Sequence, residues 1–181
     1  MRMRGNRMDT NGLFMVFTGN GKGKTTAALG MALRAAGHGL SVLILQFLKG
    51  SWKYGELEAL KRFDTVTIRT LGSGFTWTKE NLDEDRRLAR EGWELASSEI
   101  RGGGYDIVIL DEINVVLSYG LLSSEEVLGA VSDRPARLHV VATGRNAPEE
   151  LIRAADLVTE MREVKHPFRD RGVKAQKGIE F

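Results

Sequence analysis

The residues Thr18-Gly19-Asn20-Gly21-Lys22-Gly23-Lys24-Thr25-Thr26 set three glycines and two lysines within six positions, and two hydroxyls follow directly. Glycines at this spacing let successive backbone N–H groups turn into one cavity and cradle phosphate oxygens. A helix opening at the loop adds its positive dipole end. Lys24 then neutralises the outer phosphates, and the Thr25 hydroxyl is placed to ligate Mg²⁺. The usual eight-residue pattern has glycine where this chain has Thr18. A second feature supports the first. Ile107–Leu110 is a short apolar run followed at once by Asp111 and Glu112. Such a run ends a buried strand with carboxylates at its C-terminal edge, where open α/β sheets bind ligands. Asp111 or Glu112 can there hold Mg²⁺ directly or through water. Together the two features imply binding of a nucleoside triphosphate with Mg²⁺.

For these groups to meet, the chain must form a parallel sheet with helices on its faces, and its patterning does alternate between the two. Strands are predicted at Leu13–Thr18, Ser41–Phe47, Thr65–Arg69, Ile107–Leu110, Leu138–Thr143 and Leu157–Met161. Helices are predicted at Thr25–Ala36, closed by Gly37-His38-Gly39, and at Glu56–Phe63. A long one is predicted at Glu80–Arg101, where Ala89, Trp93, Ala96 and Ile100 recur on one face. Two more are expected: one capped by Ser123 with Glu126 and reaching about Val131, and one from Pro148 to about Ala155. The expected class is α/β, a three-layer P-loop NTPase-like (RecA-like) fold with a mostly parallel sheet flanked by helices. Residues 1–181 are expected to form a single domain, with a basic N-terminal arm (1–12) and a distinct C-terminal segment (162–181).

Composition narrows the chemistry. The 181 residues are 42% hydrophobic and 28% charged, ordinary for one globular domain. The formal charge is only +2, with basic residues gathered at Arg2, Arg4 and Arg7 and between Arg162 and Lys177. With no cysteine there is no disulfide, thiolate nucleophile or Cys-ligated metal. The longest apolar runs fall far short of a membrane span, and no signal-peptide core precedes the loop. A cytoplasmic protein that engages neither membrane nor nucleic acid is expected.

A P-loop with carboxylates serves hydrolases, kinases and motors alike. The stretch Gly72-Ser73-Gly74-Phe75-Thr76-Trp77 carries two large aromatics among glycines. They are either anchors packing a loop on the core or a flat apolar surface for a large planar ligand. Two rival functions use only the generic motifs. One is a RecA-like ATPase or kinase in which Glu112 polarises water or a hydroxyl, releasing ADP and phosphate. The other is a nucleotide-regulated module whose basic ends touch nucleic acid.

Several blocks go beyond generic motifs: Gly19–Ala27, Arg34–Gly39, Gln46–Gly50, Gly74–Trp77, Leu110–Asn114, Thr143–Pro148 and Lys165–Phe181. Together they resemble the P-loop type of ATP:corrinoid adenosyltransferases, also called cob(I)alamin or cob(I)yrinic acid a,c-diamide adenosyltransferases, over nearly the whole chain from Leu13 onward. The family shares the Thr-Gly start of the loop, which absorbs the departure at Thr18. The resemblance implies transfer of the 5′-deoxyadenosyl group of ATP to a reduced Co(I) corrinoid, with release of triphosphate. It implies Asn20, Gly21, Lys22, Gly23, Lys24, Thr25, Thr26, Arg34 and Arg145 as the ATP site and Mg²⁺ on Thr25 with Glu112, Asp111 being a further candidate. Lys24, Glu112, Phe75 and Trp77 are then catalytic, the two aromatics binding the corrinoid by pressing on its lower face. It further implies a homodimer and an external electron donor, a flavoprotein or free reduced flavin. Longer members cover the partner subunit's site with an N-terminal segment, for which the arm here is short. His38 reads as a turn residue and His139 as a core or edge residue, while no role follows for His166.

Overall fold

The computed structural model describes residues 11–50, 54–72, 74 and 83–181. The basic arm up to Thr10 lies outside them, as do Phe75 and Trp77. Six described strands form one sheet: β1 (Phe14–Thr18), β2 (Val42–Gln46), β3 (Val66–Thr70), β4 (Ile107–Asp111), β5 (His139–Thr143) and β6 (Leu157–Glu160). Their order is β3-β2-β4-β5-β1-β6, and every pairing is parallel. Parallel neighbours need helical crossovers, which cover both faces and bury the middle strands completely. β1, β2 and β4 are accordingly buried at every position.

Alternation along each strand sorts the core into two layers. Met15, Phe17, Val42, Ile44, Ile107 and Ile109 face α1 (Lys24–Gly37) and α2 (Gly55–Leu60). Phe14, Val16, Leu43, Leu45, Val108 and Leu110 face the opposite layer. That layer holds α3 (Asp83–Gly102), α4 (Ile113–Ser118), α5 (Ser124–Ser132) and α6 (Glu149–Ala154). α1 presents Ala28, Ala32 and Ala35 to the sheet, so its axis approaches closely and the loop at its start sits tight against the strand ends. α3 seats Ala89, Trp93, Ala96 and Ile100, the face expected from their spacing.

The fold class is as expected, and the element ends differ by a few residues. Two helices are additional. α4 follows β4 after a single residue, and five of its six residues are buried, so its INVVLS sequence carries no amphipathic signal. α7 (Pro167–Arg171) is a single turn with Pro167 at its first position and Gly172 at φ 66° after its last. His166 gains a role there: its Nδ1 accepts the Arg169 N–H as the N-cap. His38 is the C-cap of α1. His139 opens β5 half-buried, its Nδ1 accepting the Leu13 N–H at 3.1 Å. No helix among the described residues is long and apolar enough to cross a membrane.

Candidate nucleotide site

The loop between β1 and α1 turns on two left-handed glycines, Gly19 at φ 93° and Gly23 at φ 109°, and Gly23 is the N-cap of α1. Gly21 is required for another reason. A Cβ there would stand 2.7 Å from the Met161 carbonyl oxygen, and the Gly21 N–H donates to that oxygen at 2.6 Å. The chain leaving β6 therefore braces the loop from behind, and one amide expected to face a phosphate is engaged by this brace. Lys24 is buried and folds over the loop, its Nζ donating to Gly19 O and Gly21 O at 2.7 Å each. Burial lowers the Lys24 pKa, with Glu112 acting in the opposite sense.

Three strand ends converge beneath the loop. Asp111, at the end of β4 and almost fully buried, accepts from the Thr25 hydroxyl at 2.8 Å and the Thr143 hydroxyl at 2.7 Å, both on Oδ1. Its Oδ2 accepts from Gln46 Nε2 at 3.1 Å, and Lys49 Nζ stands 3.9 Å away. The β2–β4 register places Gln46 beside Asp111, so strand pairing itself makes this contact. Glu112 takes the left-handed conformation at φ 65°, uncommon for a residue with a side chain and worth about 1 kcal/mol or more of strain. Its N–H donates to Thr143 Oγ1 at 3.0 Å, so one threonine ties both acids to β5. The Glu112 carboxyl pKa is raised to about 6, first by burial and then by the neighbouring Asp111 charge. A hard cation is suited to this oxygen set, because it would offset two adjacent carboxylates where protein cations only partly do.

Above these groups opens a cleft of about 960 Å³, large enough for a nucleotide with room to spare. Gly21, Lys22, Gly23, Lys24, Thr25, Thr26, Glu112 and Arg145 line it, so the structure brings together most of the residues expected there. Arg145 acts electrostatically on both Lys24 and Glu112. Two expected ATP contacts fall elsewhere. Asn20 borders a smaller cavity of about 220 Å³ with Glu160, Arg162, Glu163 and Arg169. Arg34 is exposed in the last turn of α1, roughly 13 Å along the axis from Thr25 at 1.5 Å per residue. Nine residues are about two and a half turns, so Arg34 also projects from the opposite face of the helix to Thr25, and it does not line the cleft. Phe75 and Trp77 lie outside the described residues.

The cleft also holds residues that sequence reasoning passed over. Lys49 pairs with Glu56 at 2.5 Å and stands 4.4 Å over the Tyr54 ring, giving one wall a cation and an aromatic. Lys49 lay within one of the quoted blocks, which was its only signal. Thr143, beneath the cleft at the end of a buried strand, opens another of those blocks, which was likewise its only signal. Gly178, Ile179, Glu180 and Phe181, from the block Lys165–Phe181, also line the cleft, reaching the loop from the far end of the chain.

A six-stranded parallel sheet with a phosphate-type loop after β1 and acids at the end of β4 defines a protein of the P-loop α/β class. The chain belongs to the ATP:corrinoid adenosyltransferase family, a family of transferases: the model of ATP:corrinoid adenosyltransferase BtuR/CobO/CobP matches residues 10–181. Corrinoid adenosyltransferase of Escherichia coli (strain K12) is 44% identical over 173 residues, 96% of this chain and 87% of that protein. Corrinoid adenosyltransferase of Sinorhizobium sp is 45% identical over 178 residues, 97% of this chain and 83% of that protein. Among solved structures, the flagellar accessory protein FlaH from Methanocaldococcus jannaschii shares the fold at a TM-score of 0.54 and 10% identity, covering 83% of this chain and 71% of that one.

Proposed function

We propose that the protein transfers the 5′-deoxyadenosyl group of ATP to the cobalt of a Co(I) corrinoid and releases inorganic triphosphate. The observation that carries this reading is the convergence of Lys24, Thr25, Asp111, Glu112 and Arg145 on one large cleft in a member of this family. Co(I) is itself the nucleophile. Its electron pair forms the bond to C5′, the C5′–O bond breaks, and that bond's electrons leave on the triphosphate as the cobalt becomes formally Co(III). The protein therefore has no need of a nucleophile or base of its own, and its task is to stabilise charge gathering on the leaving group.

The loop amides, Lys22, Lys24 and Arg145 are suited to that task. Thr25 and Glu112, with Asp111 behind them, would hold Mg²⁺. When bound, the ion adds positive charge next to the leaving oxygens. The acceptor must reach C5′, so the nucleotide lies with reversed polarity, its phosphates held as a leaving group and C5′ turned to the open part of the cleft. Phe75 and Trp77 cover the lower corrin face and keep water from the axial position, which favours Co(I). The electron that makes Co(I) comes from a separate flavoprotein or free reduced flavin. The edge strand β6, with Leu157 and Val158 exposed, supports a homodimer.

Incubating the protein with ATP, Mg²⁺ and chemically reduced corrinoid tests the proposal. The expected result is the visible spectrum of a light-sensitive cobalt–carbon bond, with triphosphate formed in equal amount. ADP and phosphate without that bond would overturn it in favour of an ATPase or kinase.

A further inference from the structure

The turn formed by the last residues closes on the phosphate loop. Ile179 N–H and Glu180 N–H both donate to Gln176 O, and Gly178 N–H donates to Phe181 O at 2.8 Å, so the turn holds its own shape. From it Glu180 reaches across to the loop, where Lys22 Nζ donates to Glu180 Oε2 at 2.9 Å, 158 positions away in the chain. The Glu180 side chain is mostly covered and the Lys22 side chain half exposed. A lysine of the phosphate cradle is thus engaged by a carboxylate of the protein itself, within the cleft that receives the nucleotide.

An ammonium carries one charge, and a carboxylate and a phosphate on the same ammonium compete for it and repel each other. The proposed reaction sharpens that competition. Breaking C5′–O leaves the triphosphate with an additional negative charge relative to ATP, so the loop grips the product more tightly than the substrate. We propose that Glu180 sets the release of inorganic triphosphate: Lys22 exchanges between Glu180 and the polyphosphate, and its return to Glu180 helps the product leave. This inference rests on the proposed reaction for the identity of the product, and on the Lys22–Glu180 geometry for the exchange.

Calorimetric titration of the full chain with inorganic triphosphate and Mg²⁺ tests it, comparing wild type with Glu180→Gln. Removing the competing charge should tighten binding about two- to fivefold, the range for a partly exposed ion pair, and high salt should erase the difference. In a Lys22→Ala background the same substitution should have no effect. In turnover with reduced corrinoid, Glu180→Gln should give a burst of product followed by a slower steady rate. Weaker or unchanged triphosphate affinity in Glu180→Gln would overturn the inference, because a residue that merely supports the loop would lose affinity when cut back. The titration contains no corrinoid, so it judges the exchange even if the product assay returns ADP and removes the proposed reaction.

Discussion

The Thr18 hydroxyl accepts the Ala147 N–H at 3.1 Å, across 129 positions of sequence. Thr18 is the residue that departs from the generic loop, and this bond gives the departure a physical purpose. Ala147 lies two residues beyond Arg145, in a segment whose Asn146 adopts φ 54°. Asn114, fully buried, donates from Nδ2 to Gly144 O at 3.2 Å and Phe17 O at 3.4 Å, fastening the same segment from below. The loop that grips phosphate and the loop that carries Arg145 are thereby held as one unit.

Thr18→Val keeps the shape and removes the acceptor, leaving the Ala147 N–H without its partner. It should destabilise the fold by about 1–2 kcal/mol and raise KM for ATP more than it lowers kcat. Thr18→Ser should restore both. Chemical denaturation and steady-state kinetics on the three proteins check this.

Glu112 predicts a stability that falls as pH rises. Its folded pKa of about 6 lies above the reference value of 4.5, with burial as the chief cause. Below about 4.5 the carboxyl is protonated in folded and unfolded chains alike and costs nothing. Between 4.5 and 6 the folded state binds the extra proton, so stability declines with pH, and above 6 the full cost of about 2 kcal/mol is present. Glu112→Gln should therefore stabilise the protein at pH 8 and leave it unchanged near pH 4.5, while cutting adenosylation at least tenfold. Thermal melts at the two pH values, without nucleotide, separate this from a general packing effect.

Gly21→Ala should lower ATP affinity by about tenfold or more. The added Cβ would meet backbone atoms, Met161 O at 2.7 Å and Arg162 C at 2.8 Å, which cannot swing aside as a side chain does. The loop must move off its brace, and the cradle is built by that loop. By contrast Gly30, where a Cβ meets nothing within 4 Å, should accept alanine and gain a little helix stability. Equilibrium binding of ATP to both variants decides the point.

Phe75→Ala and Trp77→Ala should each reduce adenosylation of a Co(II) corrinoid supplied with a weak reductant by tenfold or more. ATP affinity should change less than threefold. With a strong chemical reductant that delivers Co(I) directly, much of the lost rate should return. Equal losses of ATP binding and turnover would identify the two rings as packing anchors.

The local parts of this protein were legible in its sequence. The loop at Gly19–Thr26 depends on neighbouring residues, since glycine spacing governs where backbone amides can point and a following helix needs only its own periodicity. The strand ending at Asp111 was legible for the same reason: an unbroken apolar run closed by acids is a property of a few neighbouring residues. What only the tertiary structure decided is which distant groups share the site. Strand order sets Gln46 and Thr143 against Asp111, and the exit of β6 engages Gly21. The last turn delivers Glu180 to Lys22. None of these pairs leaves a local trace, because side chains on separate strands meet only through the register of the sheet. Helix geometry likewise separates Arg34 from the cleft, for about two and a half turns carry it along α1 and onto the face opposite Thr25.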